Sequence, residues 1–198
     1  MNIKTDGDNM KKILMCIVIL AGFCVYSADV LPEPPKGFSW QQMPFVKASF
    51  LMPEGWLFKF IPENKEEKYL YYITKENLDQ KGVYETGFEV RVIKGVPSKV
   101  KGKLPSEYSA EAVEKTEKKV KFVKKWNDKK GIFKEIGYIY VDNSDENASV
   151  TVHRLYISND SSGTVYILTF EGPTKVWDDL WKTIGDPIFK NISIDESI

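Results

Sequence analysis

The chain of 198 residues has two cysteines, Cys16 and Cys24, one histidine, His153, and two arginines, Arg91 and Arg154. Each scarcity excludes something. Both cysteines fall in an apolar N-terminal run, so the body of the chain has neither disulfides nor thiol chemistry. A single histidine rules out a two-histidine metal site and a histidine relay. With 28 basic and 28 acidic side chains the formal charge is zero. The bases are almost all lysines, whereas base-edge and phosphate recognition leans on arginine, so nucleic acid is not an expected partner. The apolar run Ile13 to Tyr26 has 14 residues, short of the roughly 18 of a spanning helix.

That run follows Lys11-Lys12 and ends at the small pair Ser27-Ala28, the pattern of a secretory signal over residues 1–28, with Met1 or Met10 as the start. Phe23 stands directly before Cys24 where a lipoprotein signal has a small residue, so a lipid anchor is not expected. Cleavage near Ala28 gives an exported chain, periplasmic or extracellular, with no transmembrane helix. Residues 29–44, with Pro32, Pro34, Pro35 and Gly37, form a proline-rich leader that can hold neither a helix nor a central strand. Phe38 and Trp40 dock it on a single domain, residues 45–198.

Inside the domain, hydrophobic period assigns the elements. Phe45 to Met52 and Trp56 to Phe60, separated by Pro53-Glu54-Gly55, read as a hairpin-like pair, and Tyr69 to Thr74 as a third strand. From Tyr84 to Ile93, Tyr84, Thr86, Phe88, Val90 and Val92 alternate with Glu85, Gly87, Glu89, Arg91 and Ile93, which gives one apolar and one charged face. Pro105 to about Glu117 reads as a helix capped by Ser106. Strands follow at about Val120 to Trp126, Ile132 to Val141, Ser149 to Ser158 and Thr164 to Phe170, with turns at Asn127–Gly131, at DNSDEN and at NDSSG. The last strand is apolar on both faces, so it is covered on both. After Gly172-Pro173, Thr174 caps a helix whose Val176, Trp177, Leu180, Trp181 and Ile184 share one side, with Gly185 as the stop. The sum is α+β, an α/β/α sandwich with a central, mostly antiparallel sheet and a C-terminal helix packed on it.

Candidate functional residues are few. Lys115 to Lys134 hold nine lysines against Glu117 and Asp128, the strongest charge asymmetry in the domain. Lysines along an edge strand protect it from pairing with another chain, and they can also meet an anionic partner. Lys121, Lys124, Lys125, Trp126 and Lys129 are therefore the first partner-binding candidates. Glu85, Glu89 and Arg91, on one face of one strand, are the second. His153, beside Arg154 in a strand, has no nucleophile motif near it and reads as structural. Asp142 to Asn147 lacks the glycine and distal glutamate of a calcium loop and reads as an Asx turn. No catalytic, cofactor-binding or metal-ligating residue is assigned.

Phe50-x-x-Pro53-x-Gly55-Trp56, followed by Tyr72-Ile73-Thr74, resembles the opening of PsbP-like or DcrB-like sandwich domains. The strand Val165-Tyr166-Ile167-Leu168-Thr169-Phe170 with its tryptophan-bearing helix is similar to their close. The resemblance spans about Phe45 to Ile194. It implies a non-enzymatic role, since members of this superfamily are extrinsic photosystem subunits, envelope lipoproteins, chaperones and adaptors, and it carries no catalytic motif. The expectation is an exported binding or accessory protein of the cell envelope whose partner is a protein or an anionic envelope component. The alternative is a carboxylate-dependent hydrolase acting on a glycan, which needs a cleft joining Glu85 or Glu89 to another acid and a pKa split between them.

Overall fold

The fold is built outward from β9 (Thr164–Pro173), the strand with two apolar faces. In the computed structural model, which describes residues 31–63, 68–145 and 148–195, it lies centrally in a seven-stranded sheet of order β3-β4-β5-β9-β8-β7-β6. The signal segment, its cleavage site and the question of lipid at Cys24 lie outside the described residues. The other strands of this sheet are β3 (Leu57–Glu63), β4 (Lys68–Thr74), β5 (Gly87–Ile93), β6 (Phe122–Lys130), β7 (Phe133–Asp145) and β8 (Ala148–Asn159). Every neighbouring pair is antiparallel. On one face Phe88, Val90 and Val92 of β5, Tyr166, Leu168 and Phe170 of β9, and Leu155 and Ile157 of β8 are buried in the main core.

That core is closed by a small sheet and by the C-terminal helical segment. β1 (Phe38–Met43), β2 (Ala48–Pro53) and β10 (Ser193–Ile194) form a separate sheet of order β1-β2-β10. The hairpin expected from β2 and β3 is therefore not made. β2 pairs with β1 and β10, and β3 pairs with β4. Pro53-Glu54-Gly55 does turn the chain, with Gly55 at φ 78, but the turn carries it from one sheet to the other. The leader is likewise more than a docked coil, because residues from Phe38 onward pair as an edge strand of the small sheet.

After β9 the backbone runs through a 3-10 turn (Thr174–Val176), an α turn (Trp177–Leu180), a π turn (Trp181–Gly185) and a further α turn (Asp186–Lys190). Gly185 is helical, at φ −62 and ψ −54, so it continues the segment that it was expected to end. Its lack of a side chain serves packing instead: a Cβ there would stand 2.4 Å from Trp181 Cε3. Thr174 does not cap; its Oγ1 accepts from the hydroxyls of Ser149 at 2.9 Å and Thr151 at 3.0 Å.

The opposite face of the sheet is covered in part by α3 (Pro105–Glu117), which follows the short helices α1 (Leu78–Lys81) and α2 (Val96–Lys99). Val113 of α3 and Val96 pack on Ile93, Tyr138, Tyr156 and Val165. The cap of α3 lies earlier than Ser106. Leu104 holds the capping position and its N–H donates to the Glu107 carboxylate at 2.9 Å. Ser106 donates its N–H and hydroxyl to Asp160, each at 2.8 Å, which ties the helix start to the β8–β9 turn. Two layers of covering elements around one sheet give the expected α/β/α arrangement, with the three-stranded sheet added on the C-terminal side.

A glycine fixes how edge strand β6 meets β7. Gly137 pairs with Trp126, and a Cβ on it would stand 2.1 Å from the indole Cζ2. Gly137→Ala must therefore displace the indole, at a cost of about 1–3 kcal/mol for overpacking. Urea unfolding should show this as a lower midpoint with an unchanged slope.

Candidate functional site

The antiparallel register sets the side chains of the α3-covered face in rows across the strands. One row runs Tyr72, Glu89, Thr169, Arg154, Tyr138, and the next runs Leu70, Arg91, Ile167, Tyr156. α3 lies over the β7–β9 end of these rows, where Tyr138 and Tyr156 join its core. Farther toward β4 and the Gly87 end of β5, Arg91 is exposed and Glu89 and Glu171 are partly exposed on the sheet. Glu89 is 19% and Arg91 49% exposed at the side chain, with Arg91 Nη2 3.6 Å from Glu89 Oε1. Arg154, two strands away, donates from Nε to Thr169 Oγ1 at 3.0 Å.

Glu85 does not share the strand face of Glu89 and Arg91, as the alternation implied, because β5 begins only at Gly87. Tyr84 folds back over that glycine; a Cβ on Gly87 would stand 2.6 Å from the tyrosine ring carbons. The ring thus lies on the sheet, edge-on to Tyr72 at 5.9 Å between centroids. Its hydroxyl acts on the Glu171 carboxyl. Burial pushes that carboxyl above its ordinary value; the Tyr84 hydroxyl opposes this and the negative charge of Glu89 adds to it. Tyr84 is raised by the same burial and by the carboxylates of Glu171 and Glu89.

Tyr84 and Glu171 stand between two hollows. One, of about 600 Å³, is lined by Tyr84, Glu85, Ser149, Val150, Glu171 and Lys175. The other, of about 380 Å³, is lined by Lys59, Ile61, Tyr72, Leu78, Tyr84 and Glu171. Glu85 belongs to the first hollow and its N–H donates to the Glu76 carboxylate at 3.3 Å. Arg154 and Glu171 were not singled out as site residues by sequence reasoning. Glu171 had one signal, a carboxylate ending an otherwise apolar strand just before Gly172-Pro173.

The lysine hairpin is placed differently. β6 is the outermost strand of the large sheet, and it continues to Lys130, so the reversal expected over Asn127–Gly131 is confined to Gly131 (φ 57) and Ile132. Lys121, Lys124, Lys125 and Lys129 are all exposed along it. Lys124 Nζ stands 5.6 Å from the centroid of Trp126, whose ring packs against the main core. Lys125 donates to Glu117 at 2.6 Å, and Lys134 to Asp160 at 2.7 Å. Alternation along β6 puts Lys124 and Trp126 on one face and Lys125 and Lys129 on the other, so the candidates do not form one patch.

His153 is a core residue. It is 5% exposed, stacked on Phe189 at 4.4 Å and 10° and tilted to Trp181 at 4.2 Å, and neither ring nitrogen has a hydrogen-bond partner among the described residues. Asp142 accepts from the Ser144 N–H at 2.9 Å, an Asx turn. Among the described residues no group of three His, Cys, Asp or Glu side chains is placed to hold a metal, and no helix is long and apolar enough to cross a membrane.

No family model matches the chain, and no curated protein matches it in sequence. Solved structures do overlap with it. The cyanobacterial PsbP protein of Synechocystis sp. PCC 6803 is 10% identical with a TM-score of 0.49, over 80% of this chain and 93% of its own. The Ran-binding protein Mog1p of Saccharomyces cerevisiae is 12% identical with a TM-score of 0.49, over 81% and 96%. A Pseudomonas aeruginosa protein is 14% identical with a TM-score of 0.37, over 74% and 95%. These are likenesses of chain path alone.

Proposed function

We propose that this chain is an exported, non-enzymatic binding or accessory protein of the cell envelope, periplasmic or extracellular, and that it takes a protein partner on the half of the large sheet that α3 leaves open. Export rests on the N-terminal pattern Lys11-Lys12, apolar run, Ser27-Ala28. The docking face rests on one observation: Glu89, Arg91 and Glu171, charges of both signs, are gathered with Tyr72 and Tyr84 on the part of the sheet flanked by the 78–84 segment rather than by α3. Charges of both signs with interleaved tyrosines match a protein surface. A polyanion would meet Glu89 and Glu171 and fits the lysines of β6 instead.

The test compares two charge-altered forms of the mature chain, each checked for an unchanged melting temperature. Glu89→Arg with Arg91→Glu is expected to weaken capture of the envelope partner by about tenfold or more. Lys121→Glu, Lys125→Glu and Lys129→Glu together are expected to leave it within about twofold. The reverse pattern places the partner on the lysine edge and refutes the sheet face.

A second reading, a hydrolase acting on a glycan, has one observation in its favour: Glu85 and Glu171 line the same 600 Å³ hollow, and burial raises the Glu171 carboxyl. Glycan release by the wild-type chain that Glu171→Gln abolishes would establish it.

A further inference from the structure

At the far end of the other sheet face, a cavity of about 420 Å³ opens between the β6–β7 turn and the C-terminal segment, lined by Lys130, Phe133, Glu135, Ile157, Phe189 and Ile192 among others. Its lining mixes apolar side chains with Lys130 and Lys190, and Glu135 among them is a carboxylate only 6% exposed. The one ion pair that Glu135 makes among the described residues is to Lys130 Nζ at 3.1 Å, from a lysine whose side chain is 64% exposed. A buried charge repays its desolvation only when its partner is well held, and an exposed lysine at a turn is a loosely held one. Across the strand pair, Asp128 stands directly opposite Glu135 in the register, and like charges so placed repel. Lys190, which also lines the cavity, is engaged by Asp186 at 2.7 Å. The cavity lining therefore presents one carboxylate, Glu135, held by the exposed ammonium of Lys130, while Lys190 is already paired.

We propose that this cavity is a binding site for a small hydrophobic primary amine, whose ammonium takes the place of Lys130 on Glu135 and whose apolar body lies against Phe133, Ile157, Phe189 and Ile192. The carboxylate selects a cation. The apolar side chains of Phe133, Ile157, Phe189 and Ile192 suit an organic one, since a metal ion needs several oxygen or nitrogen ligands and finds one carboxylate in the lining. The volume lies within the roughly 300–1,000 Å³ of small-molecule sites. Lys130 acts as an internal competitor that keeps Glu135 paired while the site is empty.

The probe is 2-phenylethylamine, titrated into the mature chain and followed by chemical-shift changes at Phe133, Glu135 and Phe189, with 2-phenylethanol as the uncharged control. The amine is expected to bind at least about tenfold more tightly than the alcohol. Glu135→Gln should weaken it by about the same factor, and Lys130→Ala, which removes the competitor, should tighten it several-fold. Equal binding of amine and alcohol, no binding of the amine up to about 10 mM, or weaker or unaltered binding by Lys130→Ala overturns the proposal. Should Glu135→Gln fail to fold, the Lys130→Ala titration and the amine-to-alcohol ratio decide the matter alone.

Discussion

Lowering the pH from about 7 to about 5 is expected to cost about 2 kcal/mol of folding stability through His153 alone. Burial among Trp126, Trp181 and Phe189 holds its pKa at about 3, and Lys124, the charge that acts on it, pushes the same way. In the unfolded chain a histidine titrates near 6.5. Above that value neither state binds the proton, so the stability is fully present. Below it the unfolded state takes the proton and the folded state does not, and stability falls progressively until the folded ring titrates near 3. The whole interval corresponds to about 5 kcal/mol.

Other groups act outside this window or with the opposite sign. Glu111, held at about 2 by hydrogen bonds from Lys103 and Lys115, loses its contribution only in stronger acid. Glu171, raised by burial, binds its proton more readily folded than unfolded, so acid favours the fold through it. The informative quantity is thus a difference between two proteins. Urea unfolding of wild type and of His153→Phe at both pH values should show the wild type losing about 2 kcal/mol more. Equal losses would mean that the ring reaches water in the folded state.

Trp181→Ala is expected to cost about 3–5 kcal/mol, the range for removing a large aromatic from a core. Its ring stacks on Trp177 at 5.8 Å and 23°, lies 4.2 Å from His153, 5.5 Å from Phe189 and 6.1 Å from Phe170, and fills the space above Gly185. Because that space empties in the variant, Gly185→Ala should be less damaging in the Trp181→Ala background than in the wild type, a coupling that a double-mutant cycle reads directly. An aromatic kept for stacking a ligand would instead be removed at a cost within about 0.5 kcal/mol.

The tryptophan segment shows what local pattern can and cannot convey. Its apolar spacing placed Trp177 and Trp181 on the sheet, and they are there, because a helix has one face to bury whatever its exact pitch. The glycine after it carried two possible meanings, a left-handed stop or room for a neighbour, and only the three-dimensional contact with Trp181 selects between them. The same holds earlier in the chain. Pro53-Glu54-Gly55 announced a turn, but a turn does not say which strand becomes the neighbour, and β2 and β3 separated into two sheets. The alternation of β5 correctly set Glu89 and Arg91 on one face. It missed that Tyr84 doubles back over Gly87 and takes Glu85 out of the strand. Glu171 and Arg154 became site residues through cross-strand register, Gly87 with Glu171 and Thr169 with Arg154, which pairs positions far apart in sequence.

The docking face is the claim on which the functional reading stands. A photoreactive p-benzoylphenylalanine placed at Tyr72, in the row with Glu89 and Arg154, and in a second protein at Lys121, at the start of the lysine edge, samples the two surfaces in the producing cell. The account predicts a specific crosslinked partner from position 72 and none from position 121. A partner captured from position 121 and not from position 72 would contradict it.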